Sequence, residues 1–287
     1  MKLSTINTGF FKLDGGAMFG VVPKQLWQRL SPPDENNMCT WAMRCLLIEN
    51  GDRKILVDCG LGEKQDDRFR SHFEPHGEDS LMHSLADKGL TPEDITDVFL
   101  THLHFDHCGG AVMKDKDGNL LPSFPNATYW SNKTHYDWAM NPNPRERASF
   151  LKENFVPLQD AGILKFVDES DGKNVFDHID VKFVYGHTEA MMTLYIHTDN
   201  FTLVYCADVI PSSYHIGLPY VMSYDVRPLF TMTEKTALLE EAVREKQVLF
   251  FEHDPKVACA TVRKNEKGRI VIDEVFSLEE LTFKNEE

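Results

Sequence analysis

The chain has 287 residues, of which 42% are hydrophobic and 26% charged, and its formal net charge is −15. This length and apolar content are enough for a buried core. The acidic balance argues against a nucleic acid or an anionic membrane surface as the partner. No apolar run reaches the roughly 18 residues that a membrane-spanning helix needs, so we expect no membrane association.

Six cysteines are scattered along the chain without a C-x-x-C spacing, which favours a reducing compartment over a disulfide framework. The amino-terminal segment "MKLSTINTGFFKLDGG" lacks the long apolar core of a signal peptide. We therefore expect a cytoplasmic protein.

In chain order, residues 14–37 first read as a long irregular loop, with apolar residues set between glycines and prolines. Such a lid-like loop either packs against the body of the protein or covers a site. Ten strand-like runs rich in β-branched or aromatic residues follow, at residues 44–50, 54–60, 97–102, 127–131, 181–186, 192–198, 201–208, 247–254, 257–262 and 268–275. Asn50-Gly51 and Asp199-Asn200 are predicted hairpin turns.

Helical periodicity occurs over residues 79–90, 131–140, 144–155 and 232–246. Ser80 and Thr231 or Thr233 are predicted to cap the first and last of these helices. The strands fall in two halves of the chain, which favours two sheets packed together with helices outside over an alternating Rossmann pattern. No repeat or linker divides the sequence, so residues 1–287 are predicted to form one domain.

The run "THLHFDHCGG" places four ligand-type side chains directly after an apolar strand. His102 and His104 share a face of the extended chain, and Asp106 and His107 follow as the chain turns. Imidazole suits zinc and other divalent first-row metals, while a carboxylate can bind or bridge a second ion. The ordinary alternative is a solvated polar loop that happens to contain histidines.

Three later residues supply the rest of a candidate metal site. His187, Asp208 and His253 each follow an apolar strand, where loops can converge while the strands hold them rigidly. A single polar residue at a strand end is unremarkable. All three together with the preceding run favour a metal site.

In these residues and their order, the chain resembles the metallo-β-lactamase superfamily of hydrolases with a dinuclear metal centre. That family pairs His-x-His-x-Asp-His with a later Gly-His, an aspartate at a strand end and a final histidine, and "ILVDCG" resembles its first motif. The resemblance implies an α+β fold, the four-layer αβ/βα sandwich, with the metals at the sheet edge.

The resemblance also implies a role for each matching residue. Two divalent ions are expected, most simply Zn²⁺, with Mn, Co or Fe as alternatives. The first ion would be bound by His102, His104 and His187, the second by Asp106, His107 and His253, and Asp208 would bridge both. Asp58 would hydrogen-bond a ligating histidine, or alternatively is a simple turn aspartate before Gly60.

The expected reaction is hydrolysis by a metal-bridging hydroxide, with Asp106 or Asp208 as the proton donor to the leaving group. Within the superfamily, the loop "GGAMFGVVPKQLW" and the run "ADVIPSSYHIGLPYVMSYD" resemble the subgroup of the larger N-acyl-homoserine lactonases and its relative methyl parathion hydrolase, and this resemblance implies quorum quenching. A lactone is therefore the expected small-molecule substrate, and a phosphotriester or aryl ester is the alternative. An inactive binding protein with the same fold is the non-enzyme alternative.

Five residues are candidates for contact with the substrate: Phe19, Trp27, Tyr214, His215 and Tyr220. Many homoserine lactonases carry a tyrosine three residues after the bridging aspartate, where this chain has Pro211. Six further histidines fit no motif and are read as surface or helix residues: His72, His76, His83, His135, His178 and His197. The sequence leaves homodimerisation open.

Overall fold

The structure is a computed structural model that describes residues 1–170 and 172–283. Its strands are Lys2–Asp14 (β1), Met38–Asn50 (β2), Arg53–Val57 (β3), Asp97–Phe99 (β4), Val112–Lys114 (β5), Leu120–Pro122 (β6), Thr128–Asn132 (β7), Leu164–Val167 (β8), Ile179–Val184 (β9), Met191–His197 (β10), Thr202–Tyr205 (β11), Val248–Phe250 (β12), Cys259–Lys264 (β13) and Ile270–Phe276 (β14). Its α-helices are Gly15–Phe19 (α1), Lys24–Trp27 (α2), Asp67–Phe73 (α3), Leu81–Asp87 (α4), Phe105–Cys108 (α5), Lys133–Met140 (α6), Val156–Asp160 (α7), Pro228–Glu245 (α8) and Leu278–Phe283 (α9). Short 3₁₀ turns occur at Pro92–Asp94, Gly109–Ala111, Lys152–Asn154, Ala207–Val209 and Ser213–His215.

Each of the ten predicted strands overlaps an observed strand, and both predicted hairpin turns join antiparallel pairs. The sequence did not indicate β1, β5, β6 or β8. Strand β1 contains Gly9 at φ 95° and few β-branched residues, and it lies at the edge of its sheet. Strands β5, β6 and β8 have only three or four residues each, too few for a clear pattern.

Two helix predictions need correction. Residues 144–155 form a series of turns instead of a helix, because Ser149 O accepts a hydrogen bond from Phe105 N at 2.9 Å and the carboxylate of Glu146 is buried. The last predicted helix starts at Pro228 instead of after Thr231 or Thr233, since proline is well suited to a first helical turn. Ser80 caps α4 as predicted, accepting from His83 N.

The chain divides into two compact units, and the prediction of one domain stays a prediction. The first unit comprises Met1–Phe10 and Met43–Gly172. Its sheet has the order β1-β2-β3-β4-β7-β8, to which β1 and β2 contribute the parts within those limits. Strands β3, β4, β7 and β8 run parallel, so their carboxyl ends meet at one edge of the sheet. The residues that follow β3 and β4 are thereby brought together.

The core of the first unit consists of apolar side chains from the parallel strands and the helices around them. Leu56, Val98 and Leu100 are completely buried with Leu85 and Leu158. Parallel strands that are covered on both faces read as continuous apolar runs, as "ILV" and "VFL" do here. Such strands are rigid supports for the polar residues at their ends.

The second unit comprises Phe11–Ala42 and Lys173–Glu287. Its sheet has the order β14-β13-β12-β11-β10-β9, and α8 packs on β13 and β14. Strand β10 is antiparallel to both β9 and β11, and β11 is parallel to β12. Strands β9, β11 and β12 therefore run in one direction and end at the same edge of the sheet.

Among the residues that the structure describes, none of the helices has the length and apolar content to cross a lipid bilayer.

Candidate metal centre

The first ligand set consists of His102, His104, Asp106 and His107, which follow β4 in the first unit. All four side chains are buried. The ring of His102 lies 4.6 Å from that of His104 and 3.9 Å from that of His107, centroid to centroid. His102 and His104 are in extended chain, whereas α5 turns Asp106 and His107 back toward them. Three imidazoles and a carboxylate thus converge within six residues of sequence.

Asp58 anchors this set from the end of the neighbouring strand β3. It is fully buried at φ 59°, and it accepts hydrogen bonds from Thr101 N at 2.8 Å and Thr101 Oγ1 at 2.7 Å. Its Oδ2 also accepts from His107 Nδ1 at 3.2 Å. A carboxylate that accepts from Nδ1 leaves the lone pair of a neutral His107 ring on Nε2, the nitrogen that could then bind a metal ion.

Thr101 extends the influence of Asp58 to a second histidine. A hydroxyl has one hydrogen, and that of Thr101 is donated to Asp58. Thr101 Oγ1 therefore accepts from Nδ1 of His102, 3.1 Å away. The carboxylate of Asp58 orients His107 directly and His102 through one hydroxyl.

No role was predicted for His135, yet its side chain hydrogen-bonds the backbone between His102 and His104. It is fully buried in α6, and its Nε2 accepts a hydrogen bond from Leu103 N at 2.8 Å. Its ring proton is therefore on Nδ1, in the neutral form. No sequence signal could have found this contact, because it joins residues 32 positions apart.

The second ligand set consists of His187, Asp208 and His253 in the second unit. Each residue lies three positions after the end of its strand, β9, β11 or β12, so all three occupy the same edge of the sheet. Gly186 precedes the first of them because a Cβ there would lie only 2.3 Å from Thr231 N.

Asp208 lies between the two histidines and turns one carboxylate oxygen to each. Its Oδ2 is 3.1 Å from His187 Nε2, and its Oδ1 is 3.2 Å from His253 Nε2. The opposite nitrogens are engaged as well: Nδ1 of His187 contacts Asp225 Oδ1 at 2.8 Å, and Nδ1 of His253 contacts Ala42 O at 2.8 Å. All three side chains of the set are buried.

The donor chemistry of this set fits a cation. A backbone carbonyl can only accept, so Nδ1 of His253 donates to Ala42, and Nε2 faces the carboxylate of Asp208, where a cation or a proton is needed between the two acceptors. Burial lowers the pKa of His187, but Asp208 and Asp225 outweigh it and raise the pKa to about 10. Positive charge between these acceptors is thus strongly favoured, and a divalent ion supplies it without a proton.

Residues 14–37 contain the two short helices α1 and α2 within the predicted irregular loop. Asp14 starts α1 by accepting from Ala17 N at 2.8 Å, and its other oxygen accepts from Asn37 Nδ2 at 2.9 Å. Gly15 N also donates to Asn37 O. The two ends of the loop are therefore tied to each other.

The five predicted substrate residues belong to one aromatic cluster in the second unit, which Tyr214 joins through Trp41, at 6.3 Å between ring centroids. Phe19 is stacked between Trp27 and His215, with centroid distances of 5.2 and 5.1 Å. These three rings are buried, whereas Tyr214 and Tyr220 are partly exposed. Tyr220 meets Phe19 edge-on at 6.1 Å. Burial raises the pKa of Tyr214 to about 12, so its hydroxyl stays protonated near neutral pH.

His215 uses both ring nitrogens to join two segments of the second unit. Nε2 donates to Met18 O at 2.9 Å, and Nδ1 accepts from Ser212 Oγ at 2.7 Å. Burial lowers its pKa to about 3, so the ring is neutral. His215 therefore connects α1 to the segment after Pro211.

Lys235 of α8 holds the same segment from the other side. It is fully buried, and its Nζ donates to the carbonyls of His215, Gly217 and Tyr220 at 3.0, 3.0 and 2.8 Å. Burial lowers the pKa of Lys235 to about 8. The burial of a lysine beside Leu238 and Leu239 in α8 was not predicted from the sequence.

The sequence profile of the Metallo-beta-lactamase superfamily matches residues 44–251, so the chain belongs to this superfamily. N-acyl homoserine lactonase AiiA of Bacillus thuringiensis subsp. kurstaki is 26% identical over 238 residues, covering 78% of this chain and 85% of that protein. A probable metal-dependent hydrolase from Staphylococcus aureus is 26% identical with a TM-score of 0.86, and 97% of each chain is covered. The dizinc quorum-quenching lactonase AidC shares the fold at 23% identity and a TM-score of 0.77, covering 96% of this chain and 95% of that one.

The predicted fold class, the metallo-β-lactamase fold, is confirmed. The chain is a metal-dependent hydrolase of this superfamily, as the family, the buried ligand residues and the hydrolases that it resembles together indicate.

Proposed function

We propose that the two ligand sets together bind two divalent metal ions, most simply Zn²⁺, and that the enzyme opens lactones of the N-acyl-homoserine type. The observation that carries the dinuclear part is Asp208, whose two oxygens each contact a different histidine at 3.1 and 3.2 Å. A carboxylate that serves two imidazoles in this way is arranged to bridge two ions.

Each of the seven residues has a proposed place in the centre. His102, His104 and His187 bind the first ion, and Asp106, His107 and His253 bind the second. Asp208 belongs to both. The hydrogen bonds of Asp58, Asp225 and Ala42 keep the Nδ1 atoms of three histidines protonated, which leaves their Nε2 atoms for metal.

When bound, two divalent ions supply a water nucleophile that is ionised near neutral pH and positive charge for the oxyanion that develops. Water then adds to the lactone carbonyl, the ring C–O bond breaks, and the ring oxygen takes a proton to give a hydroxy acid. Asp106 and Asp208 are the proposed carriers of this proton. The side chain of Asp106 is the more exposed of the two, at 12% against 6%.

The lactone substrate is supported by the relatives named N-acyl homoserine lactonase, which match over most of their length. The aromatic cluster adds an apolar wall that suits an acyl chain, since each buried methylene contributes roughly 0.8 kcal/mol. We propose that Tyr214 and Tyr220 contact the substrate directly, because they are the partly exposed members. The buried residues Phe19, Trp27 and His215 would hold these two tyrosines in place by packing.

Pro211 favours a second candidate substrate class, phosphotriesters or aryl esters. It stands where many homoserine lactonases carry a tyrosine that assists the substrate carbonyl. Phosphotriester or aryl ester hydrolysis at the same centre does not depend on that tyrosine. A cytoplasmic location and a role in quorum quenching belong to this proposal as well.

The test is activity of the purified protein, with metal content measured alongside, against C6- to C12-acyl homoserine lactones and paraoxon in parallel. We expect two ions per chain and acid release from the lactones. His104→Ala should abolish the acid release, whereas His72→Ala, which removes an exposed histidine, should not. Hydrolysis of paraoxon alone would favour the second class, and two bound ions with neither substrate hydrolysed would contradict both.

A further inference from the structure

Glu146 is a buried acid that the proposed centre does not yet include. It lies in the turns that follow α6, and it is only 3% exposed. A buried carboxylate is costly unless its oxygens are matched by donors. Trp138 Nε1 and Asn143 Nδ2 both donate to Oε2, at 2.9 and 2.5 Å. The other oxygen, Oε1, is turned toward His104 and lies 3.7 Å from its Nε2.

The turn that carries Glu146 is tied to the backbone beside His104. Glu146 O accepts from Ser149 N at 2.8 Å, and Ser149 O accepts from Phe105 N at 2.9 Å. The ring of Phe150 packs on the His104 ring at 4.7 Å between centroids. The position of the carboxylate relative to this imidazole is thus fixed by backbone hydrogen bonds and by packing.

His104 differs from the other histidines of the two ligand sets in which nitrogen faces an oxygen. The others contact an oxygen through Nδ1: Thr101 for His102, Asp58 for His107, Asp225 for His187 and Ala42 for His253. In His104 the nitrogen that faces the carboxylate is Nε2. An oxygen near one ring nitrogen keeps the proton there and leaves the lone pair on the opposite nitrogen.

We propose that Glu146 is a positioning residue for metal binding, which holds the proton of His104 on Nε2 and so presents Nδ1 as the ligand atom. This inference rests on the proposed metal centre. At 3.7 Å the contact is longer than a hydrogen bond and acts electrostatically, within surroundings from which water is largely excluded.

The first test needs no substitution. In metal-free wild-type protein labelled with ¹⁵N-histidine, long-range ¹H–¹⁵N NMR near pH 8 reports which ring nitrogen carries the proton, and His104→Ala identifies the His104 signals. We expect the proton of His104 on Nε2. A proton on Nδ1 would overturn the proposal.

The second test compares Glu146→Gln with Glu153→Gln, which removes the same charge from an exposed position nearby. In Glu146→Gln, the carbonyl of the new amide would be drawn to the donors of Trp138 and Asn143, so its NH₂ group would face His104 and shift the ring proton toward Nδ1. We expect Zn²⁺ affinity, measured by competition with a chelator, to fall about 10–100-fold in Glu146→Gln and to stay unchanged in Glu153→Gln. Wild-type affinity in a folded Glu146→Gln protein would refute the proposal.

Trp138→Phe covers the case in which Glu146→Gln does not fold. It keeps the carboxylate and removes the donor Trp138 Nε1, so a smaller loss of affinity and a partial shift of the His104 proton are expected. No change in either would count against Glu146. None of these measurements involves a substrate. A wild-type protein that binds Zn²⁺ but opens no lactone would therefore contradict the proposed reaction without contradicting the role of Glu146.

Discussion

The two ligand sets reach similar chemistry by different routes. In the first unit, four ligand residues come from one run of six positions that follows a single strand. In the second unit, three ligand residues come from three strand ends separated by 21 and 45 positions, from His187 to Asp208 and from Asp208 to His253. A compact run can be recognised from its spacing alone, whereas the dispersed set has a common location only because β9, β11 and β12 run in one direction.

The histidines of the two sets are also held differently. Side chains hold those of the first set, mainly through Asp58 and Thr101. In the second set, the side chain of Asp225 holds His187, but His253 is held by the backbone carbonyl of Ala42, which no substitution removes. The first set should therefore be the more sensitive to changes in residues that do not themselves bind metal.

The largest effect is expected where one residue of the second set serves two histidines. Asp208→Ala removes the oxygens that face both His187 and His253, so metal content should fall below two ions per chain. Hydrolysis should drop by more than about a hundredfold, the upper end of the loss typical for outer partners of a metal ligand. Asp199→Asn, at an exposed turn, is the control. Retention of two ions and of full activity in Asp208→Ala would contradict the bridging role.

Asp58→Asn and Asp225→Asn compare the two sets directly. Each should lower Zn²⁺ affinity by about 10–100-fold, because each carboxylate holds Nδ1 of a ligand histidine. Asp58→Asn should also destabilise the fold, since Thr101 N and Oγ1 donate to the same carboxylate. A buried donor left unsatisfied costs about 1–3 kcal/mol, which urea unfolding would detect. Equal affinity losses without a difference in stability would argue against the wider role of Asp58.

A substitution at Thr101 tests the hydrogen-bond link between Asp58 and His102 in the first set. Thr101→Val keeps the shape and removes the hydroxyl that links Asp58 to His102, so metal affinity should fall by about tenfold. Thr101→Ser keeps the hydroxyl and should bind metal almost as the wild type does. Chelator competition on both variants is the measurement, and equal affinities in the two variants would exclude the link.

The smallest effect is a pH-dependent change in the free energy of unfolding that comes from Lys235. The pKa of Lys235 in the folded chain, about 8, lies below the ordinary 10.5. Between these pH values, the Lys235 side chain therefore binds a proton in the unfolded chain but not in the folded chain. The contribution of Lys235 to the free energy of unfolding should therefore rise with pH across this window. Urea unfolding at pH 7.5 and pH 10 should show a wild-type advantage over Lys235→Met that grows with pH. Exposed Lys267→Met should show no such trend.

The sequence was most informative where local pattern and final structure coincide. The ten strands were visible as β-branched and aromatic runs, and the seven proposed ligand residues are polar residues at strand ends. Strands β5, β6 and β8 were missed because they are short, and β1 was missed because glycine and polar residues obscure its pattern. The helix predicted over residues 144–155 failed because tertiary contacts of Glu146 and Ser149 outweigh helical propensity.

The supporting residues could not have been found from the sequence. Asp225, His135, Glu146 and Lys235 act through contacts that join positions far apart in the chain. None of them lies in a motif with a characteristic spacing. Their roles depend on side-chain directions that only the folded chain defines.

The most direct test of the dinuclear centre is a calorimetric titration of the metal-free protein with Zn²⁺. We expect two ions per chain, because Asp208 turns one oxygen to each of two histidines. Saturation at one ion, or no binding at all, would contradict the dinuclear centre and with it the proposed hydrolysis.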